Sequence, residues 1–234
     1  MNIKKITGEI IQVVDLSKTA KEINIKLSEP IYFIPGSFAN IFIDIDGVKV
    51  RRAYSVVSSS HDHMTITIAI RLSPTGTMSK LFWSKDMKGK KIELMGPLGL
   101  NIVDKMNHQK IYLFAFGIGV GVVKSIAYYF SNINKVEKLT IITGSRSEDE
   151  IIYKDYFDKL TNDFKNITVI HVVSRGLDGV SKILKGYIQD HINGFDFNNA
   201  DVYVCGQEKA CEDLVNKVKS MDPKDCNFFI EGFH

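Results

Sequence analysis

Apolar and polar positions alternate with a period of two through roughly the first hundred residues, in short runs separated by turn residues. This alternation is typical of β-strands with one buried face. Asp46-Gly47, between two of the runs, is a strong hairpin signal. The predicted strands span residues 6–14, 20–27, 39–45, 48–57, 64–71 and 91–95, and one predicted helix spans residues 77–86. This half of the chain therefore predicts a small antiparallel β-barrel.

The second half alternates continuous apolar strands with amphipathic helices. The predicted strands span residues 111–116, 139–143, 167–173, 201–205 and 227–230, and the predicted helices span residues 119–130, 150–160, 180–191 and 208–219. Strands that are apolar throughout are buried on both faces, as in a parallel sheet. We therefore predict a doubly wound α/β domain at residues 104–234, after a barrel domain at residues 1–103.

Composition and charge narrow the function classes. The chain has 234 residues, of which 44% are hydrophobic and 24% charged, as in ordinary globular proteins. A net charge of only +3 argues against nucleic-acid binding, which needs a clustered basic face. The spacing of Cys205, Cys211 and Cys226 indicates neither a disulfide framework nor a metal site. Without a signal peptide or an apolar run of membrane-spanning length, we expect a cytoplasmic protein with no membrane span.

A basic, an aromatic and a hydroxyl residue end one predicted strand, in the tetrapeptide Arg52-Ala53-Tyr54-Ser55. A flavin ring needs a flat face for stacking and a hydrogen-bond donor near its N5 atom, which Tyr54 and Ser55 would supply. Arg52 would bind a phosphate group. The alternative reading is a surface arginine beside a half-buried strand tyrosine.

Two glycine-containing segments each open a predicted helix. Gly76-Thr77-Met78-Ser79 would offer backbone N–H groups and hydroxyls to a phosphate, although a plain helix cap uses the same residue types. Gly117-Ile118-Gly119-Val120-Gly121 follows an apolar strand, which is the context of a dinucleotide pyrophosphate site. The usual dinucleotide fingerprint has glycine or alanine where this chain has Val122.

Polar residues follow the next two predicted strands. No acidic residue is available at the end of the second strand to bind a ribose, and Ser145 and Arg146 stand there instead. Ser174 and Arg175 follow the third strand. Two arginines at strand ends suit the 2′-phosphate of NADP, although solvated loop arginines remain the alternative.

Together these motifs resemble the ferredoxin–NADP reductase superfamily over nearly the whole chain. The Arg-x-Tyr-Ser motif resembles Arg52, Tyr54 and Ser55, and Gly96-Pro97-Leu98-Gly99 is similar to a Gly-Pro-x-Gly link of the family. Pro35-Gly36-Ser37-Phe38 resembles its Pro-Gly-Gln-Phe turn. The chain departs from the nicotinamide motif of the family, which commonly has proline at the position of Val122. The other matching positions are Gly76, Thr77, Ser79, Gly117, Gly119, Cys205, Gly206, Glu231 and Phe233.

The resemblance implies hydride transfer between a nicotinamide dinucleotide and a bound flavin. Ser55, Cys205 and Glu231 would surround the transfer site, with Tyr54 and Phe233 on opposite faces of the flavin. The cofactor-binding set would be Arg52, Ala53, Tyr54, Ser55, Gly76, Thr77, Met78, Ser79 and Phe233 for the flavin, and Gly117, Gly119, Val120, Ser145, Arg146, Ser174, Arg175, Cys205 and Gly206 for the nicotinamide dinucleotide.

The same resemblance favours FAD over FMN, and the arginines favour NADP(H) over NAD(H). Three cysteines cannot supply the four thiolates of an iron–sulfur cluster, so the one-electron carrier would be a separate ferredoxin or flavodoxin. Two alternatives remain: a reductase that uses free flavin as substrate, and an electron-transfer subunit of a larger redox complex. A non-redox binding module would leave Cys205, Glu231 and Phe233 unexplained.

Overall fold

The structure is a computed structural model that describes residues 2–58, 63–133, 136–176 and 183–233. The chain divides into two compact units, Met1–Val103 and Asp104–His234. Among the described residues, no helix combines the length and the apolar character needed to cross a membrane.

The first unit is a six-stranded antiparallel sheet with one helix. Its elements are β1 (Lys4–Ser17), β2 (Ala20–Leu27), β3 (Phe38–Ile45), β4 (Val48–Ser55), β5 (Thr65–Arg71), α1 (Thr77–Ser84) and β6 (Lys91–Leu98). The strand order is β4-β3-β6-β1-β2-β5. Just beyond β4, Val56 forms an antiparallel bridge with Ile68 of β5, and the Val57 N–H donates to Thr67 O at 2.9 Å. These bonds join the two edges of the sheet and confirm the predicted antiparallel barrel.

The alternation in the sequence explains this unit. Alternate residues face the core along both strands: Ile23, Ile25 and Leu27 of β2 and Ile66, Ile68 and Ile70 of β5 are almost fully buried. Helix α1 adds Met78 and Phe82 to the same core. The predicted hairpin turn joins β3 to β4: Asp46 and Gly47 have φ angles of 52° and 80°. Asp44 Oδ1 accepts a hydrogen bond from the Gly47 N–H at 2.9 Å, which holds the turn.

The second unit is a parallel sheet covered by helices. Its elements are β7 (Lys110–Phe116), α2 (Val120–Asn132), β8 (Lys138–Ser145), α3 (Lys154–Asp163), β9 (Ile167–Val173), β10 (Leu184–Lys185), β11 (Ala200–Gln207), α4 (Glu208–Lys219) and β12 (Cys226–Phe233). The strand order is β10-β9-β8-β7-β11-β12. The chain therefore moves outward from β7 to β10 and then returns to the other side of β7. The predicted doubly wound fold is confirmed, and its switch point lies between β7 and β11.

The helix predicted at residues 180–191 is wrong for residues 183–191, the part of this range that the structure describes. Residues 177–182 lie outside the described residues. Beyond them, Leu184–Lys185 forms β10, and Ile188–His191 forms a single 3₁₀ turn. Gly186, with a φ of +119°, breaks the segment, and the Asp190 carboxylate caps the turn by accepting the Tyr187 N–H at 2.9 Å. The apolar spacing thus marked burial against the sheet rather than an α-helix.

A fully buried carboxylate, Asp201, organises the amino-terminal edge of the parallel sheet. Its oxygens accept the backbone N–H groups of Asn107 and His108 at 2.7 and 2.8 Å and the Asn227 amide at 2.8 Å. The His108 ring nitrogen Nδ1 lies 2.8 Å from Asp201, and Nε2 lies 3.2 Å from Asp225. The hydrogen bond to Asp201 is the main cause that raises the pKa of His108, and Asp225 acts in the same direction. The cluster ties the segment before β7 to the starts of β11 and β12.

We predict that His108 stabilises the fold more strongly at low pH. Its pKa is raised in the folded protein, so the contribution of the imidazolium is complete below the ordinary pKa of about 6.5 and is lost as the pH rises through the folded value. His108→Gln should therefore lower the free energy of unfolding more at about pH 5.5 than at about pH 9, as measured by urea unfolding. His191→Gln, which removes a histidine outside the cluster, is the control. Equal losses for His108→Gln at both pH values would contradict the prediction.

Candidate functional site

The end of β4 combines a cation with an aromatic face. Arg52 and Ala53 are exposed, Tyr54 is half-buried against the barrel core, and Ser55 is buried. Arg52 Nη1 donates to Arg51 O at 2.8 Å. Burial raises the pKa of Tyr54 to about 12, and the nearby Arg52 charge opposes the rise. The phenol is therefore neutral at physiological pH, and its ring offers an uncharged surface for stacking.

The loop before α1 is held by the hydroxyl of Ser79. This oxygen accepts the Ser73 N–H at 3.1 Å and donates to Gly76 O at 3.1 Å. A Cβ atom at Gly76 would lie 2.5 Å from Ser79 Oγ and 2.9 Å from Ser73 Cβ, so the loop closes only around glycine. The Ser79 hydroxyl therefore shapes the loop, and the part of Ser79 suited to a ligand is its backbone N–H.

The start of α1 is suited to an anion. Gly76 is the N-cap and supplies no side-chain cap, and the first turn contains no acidic residue. Thr77 is exposed, and Met78 is buried in the core beneath. The bridge between Val56 and Ile68 runs β4 antiparallel to β5, so the Arg52 end of β4 approaches the end of β5 from which this loop departs. Arg52 and a helix start without a capping side chain thus lie toward the same end of the barrel, a combination that suits a phosphate group.

The switch point of the second unit is the crevice between the carboxyl ends of β7 and β11, where Gly119 and Gly206 have no side chains. A Cβ atom at Gly119 would lie 2.4 Å from Cys205 O, and one at Gly206 would lie 2.6 Å from Phe116 Cβ. Gly206 also has a φ of +147°, and Gly117 has a φ of +56°. These glycines allow the turn after β7 to lie directly against the end of β11. Open α/β sheets bind nucleotides at this position.

The helix that leaves this crevice, α2, also has an open start. Gly119 is its N-cap without a side-chain cap, and its first turn has no acidic residue. The N–H of Val120 donates back to Gly117 O and closes the preceding 3₁₀ turn. Val122, which replaces the expected small residue or proline, is buried in the core. Val122 therefore changes the packing of the core rather than the lining of the crevice, and a helix start without an acidic residue suits a pyrophosphate.

Cys205 and Glu231 lie side by side at the carboxyl ends of β11 and β12, where their Cα atoms are register partners. Cys205 is fully buried, and burial together with Glu231 raises the pKa of its thiol well above the ordinary value. Cys205 is therefore a neutral thiol rather than a thiolate nucleophile. The Tyr203 hydroxyl donates to Glu231 Oε2 at 2.6 Å. Phe233, two residues further along β12, is partly exposed.

The serine–arginine pairs lie on neighbouring loops of the same sheet. The Arg175 N–H donates to Arg146 O at 2.8 Å, and the Ser174 N–H donates to Ser145 O at 3.1 Å. Both arginine side chains are exposed, and both serines are partly buried. The two pairs, separate in sequence, form one polar edge at the carboxyl ends of β8 and β9.

Each unit thus brings its own predicted residues together. Arg52, Tyr54 and the α1 start share one end of the barrel, and the glycine turn, Cys205 and Glu231 share the switch point of the sheet. The sequence reasoning missed Tyr203. A tyrosine inside an otherwise apolar strand is the signal that could have revealed it, since a buried phenol usually has a hydrogen-bond partner.

Comparisons with known proteins match both units. A family model described as an oxidoreductase FAD-binding domain matches residues 7–101, and one described as an oxidoreductase NAD-binding domain matches residues 113–216. The glycine betaine monooxygenase reductase subunit of Pseudomonas aeruginosa is 26% identical over 180 residues, covering 75% of this chain and 49% of that protein. The reductase component of phenol 2-monooxygenase from a Pseudomonas species is 22% identical over 232 residues, covering 97% of this chain and 65% of that protein.

The chain therefore spans about half to two thirds of the length of these curated relatives. Among solved structures, a ferredoxin NADP+ reductase from Neisseria gonorrhoeae with bound FAD and NADP superposes with a TM-score of 0.86. It has 18% identity and covers 98% of this chain and 99% of its own. This likeness concerns the fold.

The fold, the two sites and the two family models define a flavoprotein oxidoreductase with an FAD-binding and an NAD(P)-binding domain. The chain belongs to the oxidoreductase family that the FAD-binding and NAD-binding models describe, and its fold is that of a ferredoxin–NADP reductase.

The glycine contact at the switch point leads to a stability prediction. Gly119→Ala should lower the free energy of unfolding by about 1–3 kcal/mol, because its Cβ atom would lie 2.4 Å from Cys205 O and the backbone must move apart. Gly194→Ala is the matched control, since a Cβ atom there meets nothing within 4 Å. Chemical unfolding of both variants measures the difference. Equal stability of the two variants would show that the crevice tolerates a side chain.

Proposed function

We propose that this protein transfers reducing equivalents from NADP(H) to bound FAD and then, as single electrons, to a separate ferredoxin- or flavodoxin-type carrier. The observation that carries the proposal is the pair of open helix starts, one in each unit, each placed beside groups that suit one cofactor. Family membership makes the chain an oxidoreductase. The choice of coenzyme and acceptor is the proposed part.

The barrel unit would hold the flavin. Arg52 and the N–H groups at the start of α1 would bind its phosphates. Tyr54 would stack on one face of the ring, and Ser55 would hydrogen-bond near it. Phe233 would stack on the opposite face of the flavin. The remaining flavin contacts in this proposal are Ala53, Gly76, Thr77, Met78 and Ser79.

The parallel-sheet unit would hold the nicotinamide dinucleotide. Its pyrophosphate would lie against Gly117, Gly119 and Val120, and its nicotinamide end would approach Cys205 and Gly206. When bound, the two cofactors supply the hydride chemistry. Cys205 would contribute an uncharged thiol contact, and Glu231 a carboxylate that orients the nicotinamide.

The preference for NADP(H) rests on the polar edge formed by the serine–arginine pairs. Arg146 and Arg175 expose two guanidinium groups on loops joined by a backbone hydrogen bond. Bidentate arginine contacts bind a phosphate dianion strongly, and Ser145 and Ser174 add hydroxyl donors. An NAD(H) molecule lacks the 2′-phosphate and would gain little from these arginines.

The proposed acceptor follows from the cysteines and from the relatives. Cys205 and Cys211 are buried and Cys226 is partly buried, and within the described ranges the cysteines belong to no group that could hold a metal ion. Both reported curated relatives are named as the reductase part of a monooxygenase system. We extend this to a separate one-electron carrier as the acceptor of the present protein.

The visible spectrum of the purified protein tests the cofactor assignment. We expect flavin absorption bands that co-purify with the protein and bleach rapidly under anaerobic conditions after addition of NADPH. Bleaching with NADH should be slower at equal concentration. A colourless protein that oxidises NADPH only when free flavin is added would contradict the bound-flavin proposal. Faster bleaching with NADH would reverse the coenzyme assignment.

Arg175→Ala tests the 2′-phosphate contact directly. Loss of one charge-assisted contact should raise the KM for NADPH about tenfold or more and leave the KM for NADH nearly unchanged. Lys138→Ala is the control, because Lys138 is an exposed cation at the opposite end of β8. If the ratio of the KM values for NADPH and NADH is unchanged in Arg175→Ala, Arg175 does not bind the 2′-phosphate.

A further inference from the structure

We propose that Tyr203 is a positioning residue, which holds the Glu231 carboxylate at the crevice beside Cys205 through its hydroxyl. The inference rests on the proposed place of Glu231 at the transfer site. It adds a residue that does not itself contact either cofactor.

The hydrogen bond runs diagonally between neighbouring parallel strands. Tyr203 pairs in register with Phe229, and Cys205 pairs with Glu231, so the phenol reaches two positions along the sheet to meet the carboxylate. The Tyr203 hydroxyl donates to Glu231 Oε2 at 2.6 Å, a short distance typical of a hydroxyl bound to a charged oxygen. The contact joins residues that lie 28 positions apart in the sequence.

The alternation of side chains along β11 determines the face of the sheet to which Tyr203 and Cys205 point. Val202 and Val204 pack in the core cluster that contains the α4 residues Leu214 and Val218. Tyr203 and Cys205 therefore point to the opposite face. Their side chains share that face, and the carboxylate of Glu231 is placed against both.

Tyr203 remains a donor under all ordinary conditions. It is fully buried, and burial together with the Glu231 charge raises the pKa of its phenol well above the ordinary value. Burying the Tyr203 hydroxyl without a hydrogen-bond partner would cost free energy. This cost favours the conformation in which the hydroxyl is bonded to the Glu231 carboxylate. The phenol therefore keeps its proton at physiological pH and donates a hydrogen bond to Glu231 Oε2.

The carboxylate needs such a restraint because of where it lies. Glu231 is only partly buried and belongs to β12, the edge strand of the sheet. A glutamate side chain in such a place has several rotatable bonds, and the hydrogen bond from the Tyr203 hydroxyl restricts its orientation. The backbone of β12 is already fixed by its pairing with β11 and by the packing of Gly232 against Glu208. The Tyr203 hydroxyl is therefore not needed to hold the strand and acts on the carboxylate.

The kinetic experiment compares Tyr203→Phe, Glu231→Ala and the double variant. Phenylalanine keeps the buried ring and removes only the hydroxyl, so we expect the rate of flavin reduction to fall about tenfold, the size of one hydrogen bond to a charged group. The KM for the coenzyme should change little. The double variant should be no slower than Glu231→Ala, because Tyr203 acts through Glu231.

Tyr112→Phe is the matched control. Tyr112 is a fully buried tyrosine of the same sheet, and its hydroxyl donates to the Asp196 backbone oxygen at 2.8 Å, away from the crevice. This variant loses one buried hydrogen bond, as Tyr203→Phe does, and should keep the rate of flavin reduction of the unmodified protein.

A structural measurement independent of turnover accompanies the kinetics. In a crystal structure of the protein without coenzyme, the Glu231 carboxylate should occupy one position, and in Tyr203→Phe it should spread over several rotamers. A single unchanged position of Glu231 in Tyr203→Phe would overturn the inference.

The outcomes distinguish an error in the proposed role of Glu231 from an error in the role of Tyr203. If Glu231→Ala leaves the rate of flavin reduction unchanged, the proposed role of Glu231 is wrong, and the crystal structures still decide whether Tyr203 holds it. If Glu231→Ala is slow but Tyr203→Phe is normal, the proposed function stands and the role of Tyr203 is overturned. Equal slowing by Tyr203→Phe and Tyr112→Phe would show a structural effect only and would also overturn it.

Discussion

The close contact between the turn after β7 and the end of β11 is the constraint on which the second unit depends. Gly119 can lie against Cys205 O, and Gly206 against Phe116, only because neither glycine has a side chain. This contact brings the start of α2 against the end of β11, and the pairing of β11 with β12 places Cys205 beside Glu231 at the same end of the sheet. A side chain at either glycine would push the turn after β7 away from the end of β11.

The two units solve the problem of binding an anion in the same way. Each ends a strand in a glycine-containing turn and then begins a helix that has neither a capping side chain nor an acidic residue in its first turn. The backbone N–H groups at a helix start and the helix dipole then favour negative charge. The first unit adds a cation at Arg52, whereas the second adds Arg146 and Arg175 on neighbouring loops. The residues around the two helix starts, rather than the helix starts themselves, therefore differ between the two candidate binding sites.

Where one local pattern dominates, the sequence predicted the structure closely. The boundaries of β2, β9 and α4 agree with the predicted ranges, because burial on one face or on both leaves a clear period in the sequence. The helix predicted at residues 150–160 begins later, at Lys154, after a 3₁₀ turn and a left-handed Tyr153. At residues 183–191 the apolar spacing was equally regular, yet Gly186 and the Asp190 cap directed the chain into a short strand and a 3₁₀ turn.

The sequence by itself determined the two-part architecture, the glycine turns and the pairing of aromatic, hydroxyl and basic residues at one strand end. These features are local, because periodicity and turn chemistry are properties of neighbouring residues. Only the tertiary structure decided that the Ser79 hydroxyl serves its own loop, that Asp201 binds Asn107 from 94 positions away, and that Tyr203 holds Glu231. Such partners are chosen by strand order and register, which bring distant residues together and leave no pattern between them in the chain.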